Sequence, residues 1–224
     1  MSESVKHPAK FSDPIIDVIA DIVKRYDIQS ILDPMCGVGK IAELRTFGYI
    51  GKLVGVEIEP EWAAEAAKVM DEVHVGDAAK LFFIMPDTFD AVITSPTYAN
   101  RMADKLSKDK QIRMTYADYL GRPLTEGNTG AMQWGNPEYG RKHLQIWTQA
   151  KKATRDILVV NVSDHYRNKK IQNVVDFHII LINALGMTLV EDIHVKTRRM
   201  RRGRNHELRV DHEHVLVFSK HAST

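Results

Sequence analysis

With a single cysteine, Cys36, in 224 residues, the chain can build neither a disulfide framework nor a cysteine-based zinc site. No apolar run approaches the roughly 18 residues of a transmembrane helix, and the opening Met1-Ser-Glu-Ser-Val-Lys-His-Pro8 has no segment of signal-peptide type. Internal repeats and low-complexity tracts are also missing. A reducing, cytoplasmic setting without a membrane partner is the expectation. What is present, 44% hydrophobic and 27% charged residues, is enough to build an ordinary globular core. The length suits one α/β domain spanning 1–224 with a modest insertion. The net charge of +2 hides an asymmetry: nine Lys/Arg against 16 Asp/Glu up to Ser95, then 22 against 13. The basic half suits a polyanion, and the acidic half suits a ligand that carries positive charge.

Helical spacing runs over Asp13 to Tyr26, with Pro14 placed for a first turn. Strands are expected at Ser30 to Asp33, Gly51 to Glu57, Val73 to Val75, Phe89 to Thr94, Asp156 to Val162, Thr188 to Val195 and His212 to Phe218. Helices are expected at about Lys40 to Phe47, Pro60 to Met70, His143 to Thr154 and Ile171 to Leu185. Strands that alternate with helices argue for a parallel sheet covered on both faces, with the last two strands forming an antiparallel edge hairpin. Residues 97–142 lack a clear period and read as a substrate-facing insertion, and 196–211 as a basic hairpin.

Gly37 and Gly39 lie where the first strand turns into a helix, the place where open α/β sheets bind ligands. The spacing is not G-x-G-x-x-G. It is not a P-loop either, because Ile41 stands where a hydroxyl residue is needed after Lys40. A nucleoside without a triphosphate is therefore preferred. Asp33, Glu57 and Asp77 end or follow three strands and converge on one rim, and Glu57 is placed to accept hydrogen bonds from both ribose hydroxyls.

These motifs carry a resemblance. D-P-M-C-G-V-G-K at 33–40 resembles the D-P-F-x-G-x-G-T motif of S-adenosylmethionine-dependent amino-methyltransferases of nucleic acids. V-G-V-E-I-E-P-E-W at 54–62 and H-V-G-D-A at 74–78 are similar to that family's second and third motifs. H-P-A-K-F-S-D-P-I-I at 7–16 resembles its H-P-x-K-P-x-x-L segment, and T-S-P-T-Y at 94–98 its (D/N/S)-P-P-(Y/F/W) catalytic motif. The resemblance implies a class I methyltransferase fold, a Rossmann-like, seven-stranded, mostly parallel sheet with an antiparallel edge hairpin. It implies S-adenosylmethionine as cofactor. Asp33, Pro34, Cys36, Gly37 and Gly39 would line its amino-acid end, Lys10 and Phe11 would help enclose it, and Glu57 would take the ribose. Asp77, with Ala78, would take the adenine amine, and Ile58 would pack on the adenine; Ile58 reads equally as a plain core residue. Two positions depart from the pattern: Lys40 replaces Thr or Ser, and Thr97 replaces the second proline.

In that family the target is an exocyclic amine whose lone pair is delocalised into the base. The implied roles are acceptors at Ser95 Oγ and the Pro96 carbonyl for the two amine hydrogens, and Tyr98 as a stacking platform. Catalysis of this kind is positioning plus electrostatics, so it needs no thiol; Cys36 also reads as a small packing residue. A base in a duplex has to be extruded first. Arg198, Arg199, Arg201, Arg202 and Arg204, with Arg101 and Arg141, are candidates for phosphate contacts. Tyr116, Tyr119, Arg122, Trp134 and Tyr139 are candidates to shape a base pocket, and Asn161 to Arg167 ends the fifth strand on the same rim. His206, His212 and His214 lack zinc-type spacing, so no metal is expected.

The activity implied is site-specific DNA methylation of the restriction–modification kind, at cytosine N4 or adenine N6, by a monomer or homodimer. The S-P-x-Y form favours the cytosine enzymes, and the order of the motifs favours the adenine and mixed groups. An RNA guanine-N2 or adenine-N6 methyltransferase is the alternative enzyme. A catalytically weak module that binds cofactor or nucleic acid is the alternative of another class.

Overall fold

Asp13 and Pro14 open the first helix and Lys24 and Arg25 close it, so charge of the favourable sign stands at each end of the helix dipole. In the computed structural model, which describes residues 11–98, 116–167, 170–197 and 210–221, this is α1 (Asp13–Arg25). The chain continues through β1 (Ser30–Asp33), a 3-10 helix (Lys40–Phe47), β2 (Lys52–Glu57), α2 (Pro60–Ala66), β3 (Glu72–Val75), α3 (Leu81–Ile84) and β4 (Phe89–Thr94). Then come α4 (Tyr116–Leu120), α5 (Pro137–Ala153), β5 (Thr154–Val162), β6 (His165–Arg167), β7 (Lys170–Gln172), α6 (Val174–Ala184), β8 (Thr188–Lys196) and β9 (His212–Ser219).

Seven strands form one sheet in the order β3-β2-β1-β4-β5-β9-β8. β1 to β5 are parallel, and β9 runs antiparallel to both β5 and β8, which gives the mixed edge that the sequence predicts. Side chains alternate across the strands. Ile31, Leu53, Ile93, Val159 and Val217 pack toward α1, and Leu32, Val54, Val92, Leu158 and Phe218 pack toward α5 and α6. On α1, the fully buried Ile15, Ile16, Ile19 and Ile22 contribute about 1.5–3 kcal/mol each. The order reverses between β1 and β4, so the loops that follow these two strands flank a crevice at the switch point. No helix among the described residues is long and apolar enough to cross a membrane.

The structure differs from the sequence expectation in several places. Residues 165–172 form a β6–β7 hairpin, so the helix expected from Ile171 begins at Val174. Asp164 Oδ1 accepts from the Val175 N–H at 2.9 Å and sets that start, while Ile171 stays 47% exposed with no core to face. The helix expected from His143 begins at Pro137, because Asn136 Oδ1 caps the Glu138 N–H at 3.0 Å. The helix after Gly39 is of the tighter 3-10 type, and α2 ends at Ala66 rather than near Met70.

Candidate active site

The crevice holds a cleft of roughly 320 Å³, enough for a small ligand, lined from both strand-end loops. On the β1 side, Gly37 has φ +54 and Gly39 φ +77, a left-handed geometry that glycine adopts without strain. Gly37 is on the cleft wall, and its N–H donates to Glu57 Oε2 at 2.8 Å. Gly39 stands off the wall; a Cβ there would come within 2.9 Å of Val69 Cγ2, so its small size serves packing against the residues after α2. Cys36 lines the wall but is buried, with its sulfur 2.7 Å from where a Cβ on Gly55 would stand. Burial pushes its thiol well above the ordinary range, which suits a packing residue rather than a nucleophile.

Asp33 and Glu57 are both buried at the floor. Burial raises each carboxyl to about 7. Hydrogen bonds hold the rise back: Thr94 Oγ1 and the Met35 N–H donate to Asp33 Oδ1 at 2.7 and 3.1 Å. The Glu59 and Gly37 N–H groups do the same for Glu57, the former at 3.0 Å. Each Glu57 oxygen, with one donor, keeps a second lone pair for a ligand, and Asp33 keeps Oδ2, since both donors fall on Oδ1.

At the far end, Ile58, Asp77 and Ala78 line the cleft together with Lys142 from α5. Asp77 Oδ1 caps the Ala79 N–H at 2.9 Å, and its Oδ2 is paired with the Lys142 ammonium. The insertion folds over this end through Glu59, which is fully buried. The Glu59 carboxylate accepts from the Thr125 N–H and Oγ1, both at 2.8 Å, and from Asn128 Nδ2 at 2.7 Å. Arg122 bridges Glu59 and Glu61. Gly127 and Asn128 thereby become part of the cleft wall. Glu59, Asn128, Thr129 and Lys142 are site-building residues that the sequence reading did not single out. The only signal was a second acid two positions after Glu57, which reads equally as an ordinary residue before Pro60.

On the β4 side, Ser95, Pro96, Thr97 and Tyr98 all line the same cleft. Thr97 is tied at two polar groups: its hydroxyl bonds Thr129 Oγ1, and its carbonyl accepts from Tyr139 OH at 3.0 Å. Tyr98 lies nearly parallel to the His165 ring, at 6.3 Å between centroids and 15°, with Trp134 edge-on to His165. Asn161 completes this wall from the end of β5. Phe11 lines the cleft and is buried, while Arg141 is exposed on α5 and off the wall. Lys10, Arg101, Arg198, Arg199, Arg201, Arg202 and Arg204 lie outside the described residues.

No protein-family model matches the chain, and no curated protein matches it significantly. Solved structures do. Magnesium protoporphyrin IX methyltransferase from Synechocystis with bound SAM is 11% identical, with TM-score 0.54, over 96% of this chain and 88% of that one. A methyltransferase from Pyrococcus furiosus gives 14%, TM-score 0.55, 96% and 87%. An S-adenosylmethionine-dependent methyltransferase from Clostridium acetobutylicum gives 8%, TM-score 0.55, 94% and 92%. The chain has the class I methyltransferase fold. In that fold the two loops at the switch point, 34–39 and 95–98, share one wall-to-wall cleft with the three strand-end acids.

Proposed function

We propose that the protein methylates an exocyclic amine of a DNA base, cytosine N4 or adenine N6, using S-adenosylmethionine. The observation that carries this reading is the meeting of Asp33, Glu57 and Asp77 with Ser95, Pro96 and Tyr98 in one cleft. The donor set fits the cofactor: buried carboxylates suit the ribose hydroxyls and the positive charge of the amino-acid end, and Ile58 and Ile146 offer apolar surface for the adenine. Asp33, Glu57 and Asp77 would hold S-adenosylmethionine, which would supply a sulfonium methyl whose carbon–sulfur bonding pair would leave with sulfur as the amine nitrogen bonded to the carbon, the amine proton passing to solvent.

Ser95 Oγ and the Pro96 carbonyl accept the amine hydrogens and turn the nitrogen lone pair out of conjugation with the ring. Tyr98, on the cleft wall with the buried His165 ring nearly parallel behind it, supplies a flat face against which the base is held. The tethers on Thr97 replace the stiffness that a second proline would give this loop. Thr129→Val removes one tether worth about 0.5–1.5 kcal/mol. Turnover is expected to fall roughly threefold to tenfold with little change in cofactor affinity, measured by steady-state methyl transfer and calorimetry.

The floor acids add a pH dependence. Their carboxyls titrate at about 7 because they are buried, whereas the bound cofactor favours their ionised forms. Affinity for S-adenosylmethionine is therefore expected to rise from pH 6 to pH 8, with protons released on binding near pH 6.5. Calorimetry in buffers of different ionisation heat measures that release, and a pH-independent affinity without it contradicts the assignment.

The substrate is tested by incubating the protein with methyl-labelled S-adenosylmethionine and either DNA or RNA, then analysing the nucleosides. N4-methylcytosine or N6-methyladenine from DNA is expected. Methyl on RNA alone overturns the choice of DNA, and transfer to neither leaves a binding module.

A further inference from the structure

The ladder between β8 and β9 brings His194 to two imidazoles of the neighbouring strand, His212 and His214. His194 stands directly opposite His214, and His212 precedes His214 by two residues, so all three project from one face of the hairpin. Ring centroids are 4.2 Å apart for His194 and His214, 5.1 Å for His212 and His214, and 5.4 Å for His194 and His212. One ring nitrogen from each lies within 4.8 Å of the other two. Glu213, on the opposite face of β9, reaches the cleft, so the cluster is separate from the candidate active site.

We propose that His194, His212 and His214 bind a first-row divalent cation of the Zn²⁺ type. Tetrahedral coordination at about 2.0–2.1 Å puts ligand nitrogens roughly 3.4 Å apart. Rotation of His194 and His212, whose side chains are 60% and 38% exposed, closes the remaining gap. A supporting carboxylate is already in place. Asp192, on the same face of β8, meets His214 Nδ1 with Oδ1 at 2.8 Å. That contact fixes the ring orientation and leaves Nε2 as the donor atom, the usual arrangement of a carboxylate behind a metal-binding histidine. Imidazole nitrogen selects Zn²⁺, Ni²⁺ or Cu²⁺ over Mg²⁺ or Ca²⁺. The bound ion ties β8 to β9 just before the chain leaves for residues 198–209. Sequence spacing does not reveal the site, because it pairs His206 with His212 and His214, whereas the ladder supplies His194 from another strand.

The test is calorimetric titration of the full, tag-free chain with ZnCl₂, repeated with CoCl₂ so that the visible spectrum reports coordination. One ion per chain is expected. His194→Ala and His212→Ala are expected to weaken it at least tenfold and to remove the Co²⁺ bands. Asp192→Asn is expected to weaken it roughly tenfold to 100-fold. His74→Gln, at the opposite sheet edge beside Glu72, leaves it unchanged. Circular dichroism of His194→Ala without metal verifies folding, which its exposed side chain does not support. No stoichiometric uptake by the wild-type chain, or equal affinity in His194→Ala, overturns the site.

Discussion

Ser95→Ala is expected to lower methyl-transfer turnover by roughly 100- to 1,000-fold while the dissociation constant for S-adenosylmethionine stays within about twofold. Ser95 follows β4 and lines the same cleft as the acids, and in the proposed function its hydroxyl serves the acceptor amine and not the cofactor. An acceptor that bonds the amine hydrogens is of most use as the nitrogen pyramidalises, and its loss therefore falls on the transition state rather than on ground-state binding. The neighbouring loop is held by Thr97, through Thr129 and Tyr139, so the alanine variant keeps its backbone in place. Single-turnover kinetics with saturating DNA, beside calorimetry of the cofactor, separates the two quantities. Equal loss of both contradicts the role.

Glu57→Ala is expected to do the reverse and weaken cofactor binding by about 100-fold or more. Two hydrogen bonds from ribose hydroxyls to an ionised carboxylate are worth about 1.5–3 kcal/mol each. The substitution also leaves the Gly37 and Glu59 N–H groups without their acceptor, which loosens the 34–39 loop. The variant that bound cofactor at saturating concentration would still transfer methyl, since Ser95, Pro96 and Tyr98 are untouched. Glu57→Gln is a sharper control: it keeps the volume but puts an NH2 donor in place of one of the two oxygens to which the Gly37 and Glu59 N–H groups donate, so its affinity should also fall. Isothermal titration with S-adenosylmethionine and S-adenosylhomocysteine measures both variants, and an unchanged affinity for either ligand contradicts the ribose assignment.

Much of this arrangement was legible from the chain alone. The strands follow from short apolar runs, the first three closed by Asp33, Glu57 and the Gly76-Asp77 pair, because a sheet buried on both faces permits little else. Segments whose outcome depends on long-range partners were not legible. The Pro137 start of α5 rests on a cap by Asn136, but the preceding stretch has no period to mark it. Lys170–Gln172 carries an isoleucine at helical spacing, yet pairs with His165–Arg167 because Asp164 caps the next helix first. Glu59 is the clearest case. Nothing local distinguishes it from a surface acid, and the partners of its buried carboxylate, Arg122, Thr125 and Asn128, lie more than sixty residues away. Thr97 is likewise held by partners distant in sequence, its hydroxyl by Thr129 and its carbonyl by Tyr139.

The most direct measurement is a crystal structure of the protein with S-adenosylhomocysteine. The account predicts ribose hydroxyls on Glu57, the adenine between Ile58 and the 127–128 wall near Asp77, and the sulfur turned toward Ser95 and Pro96. A ligand seated elsewhere, or in this cleft with its sulfur turned away from Ser95 and Pro96, contradicts it.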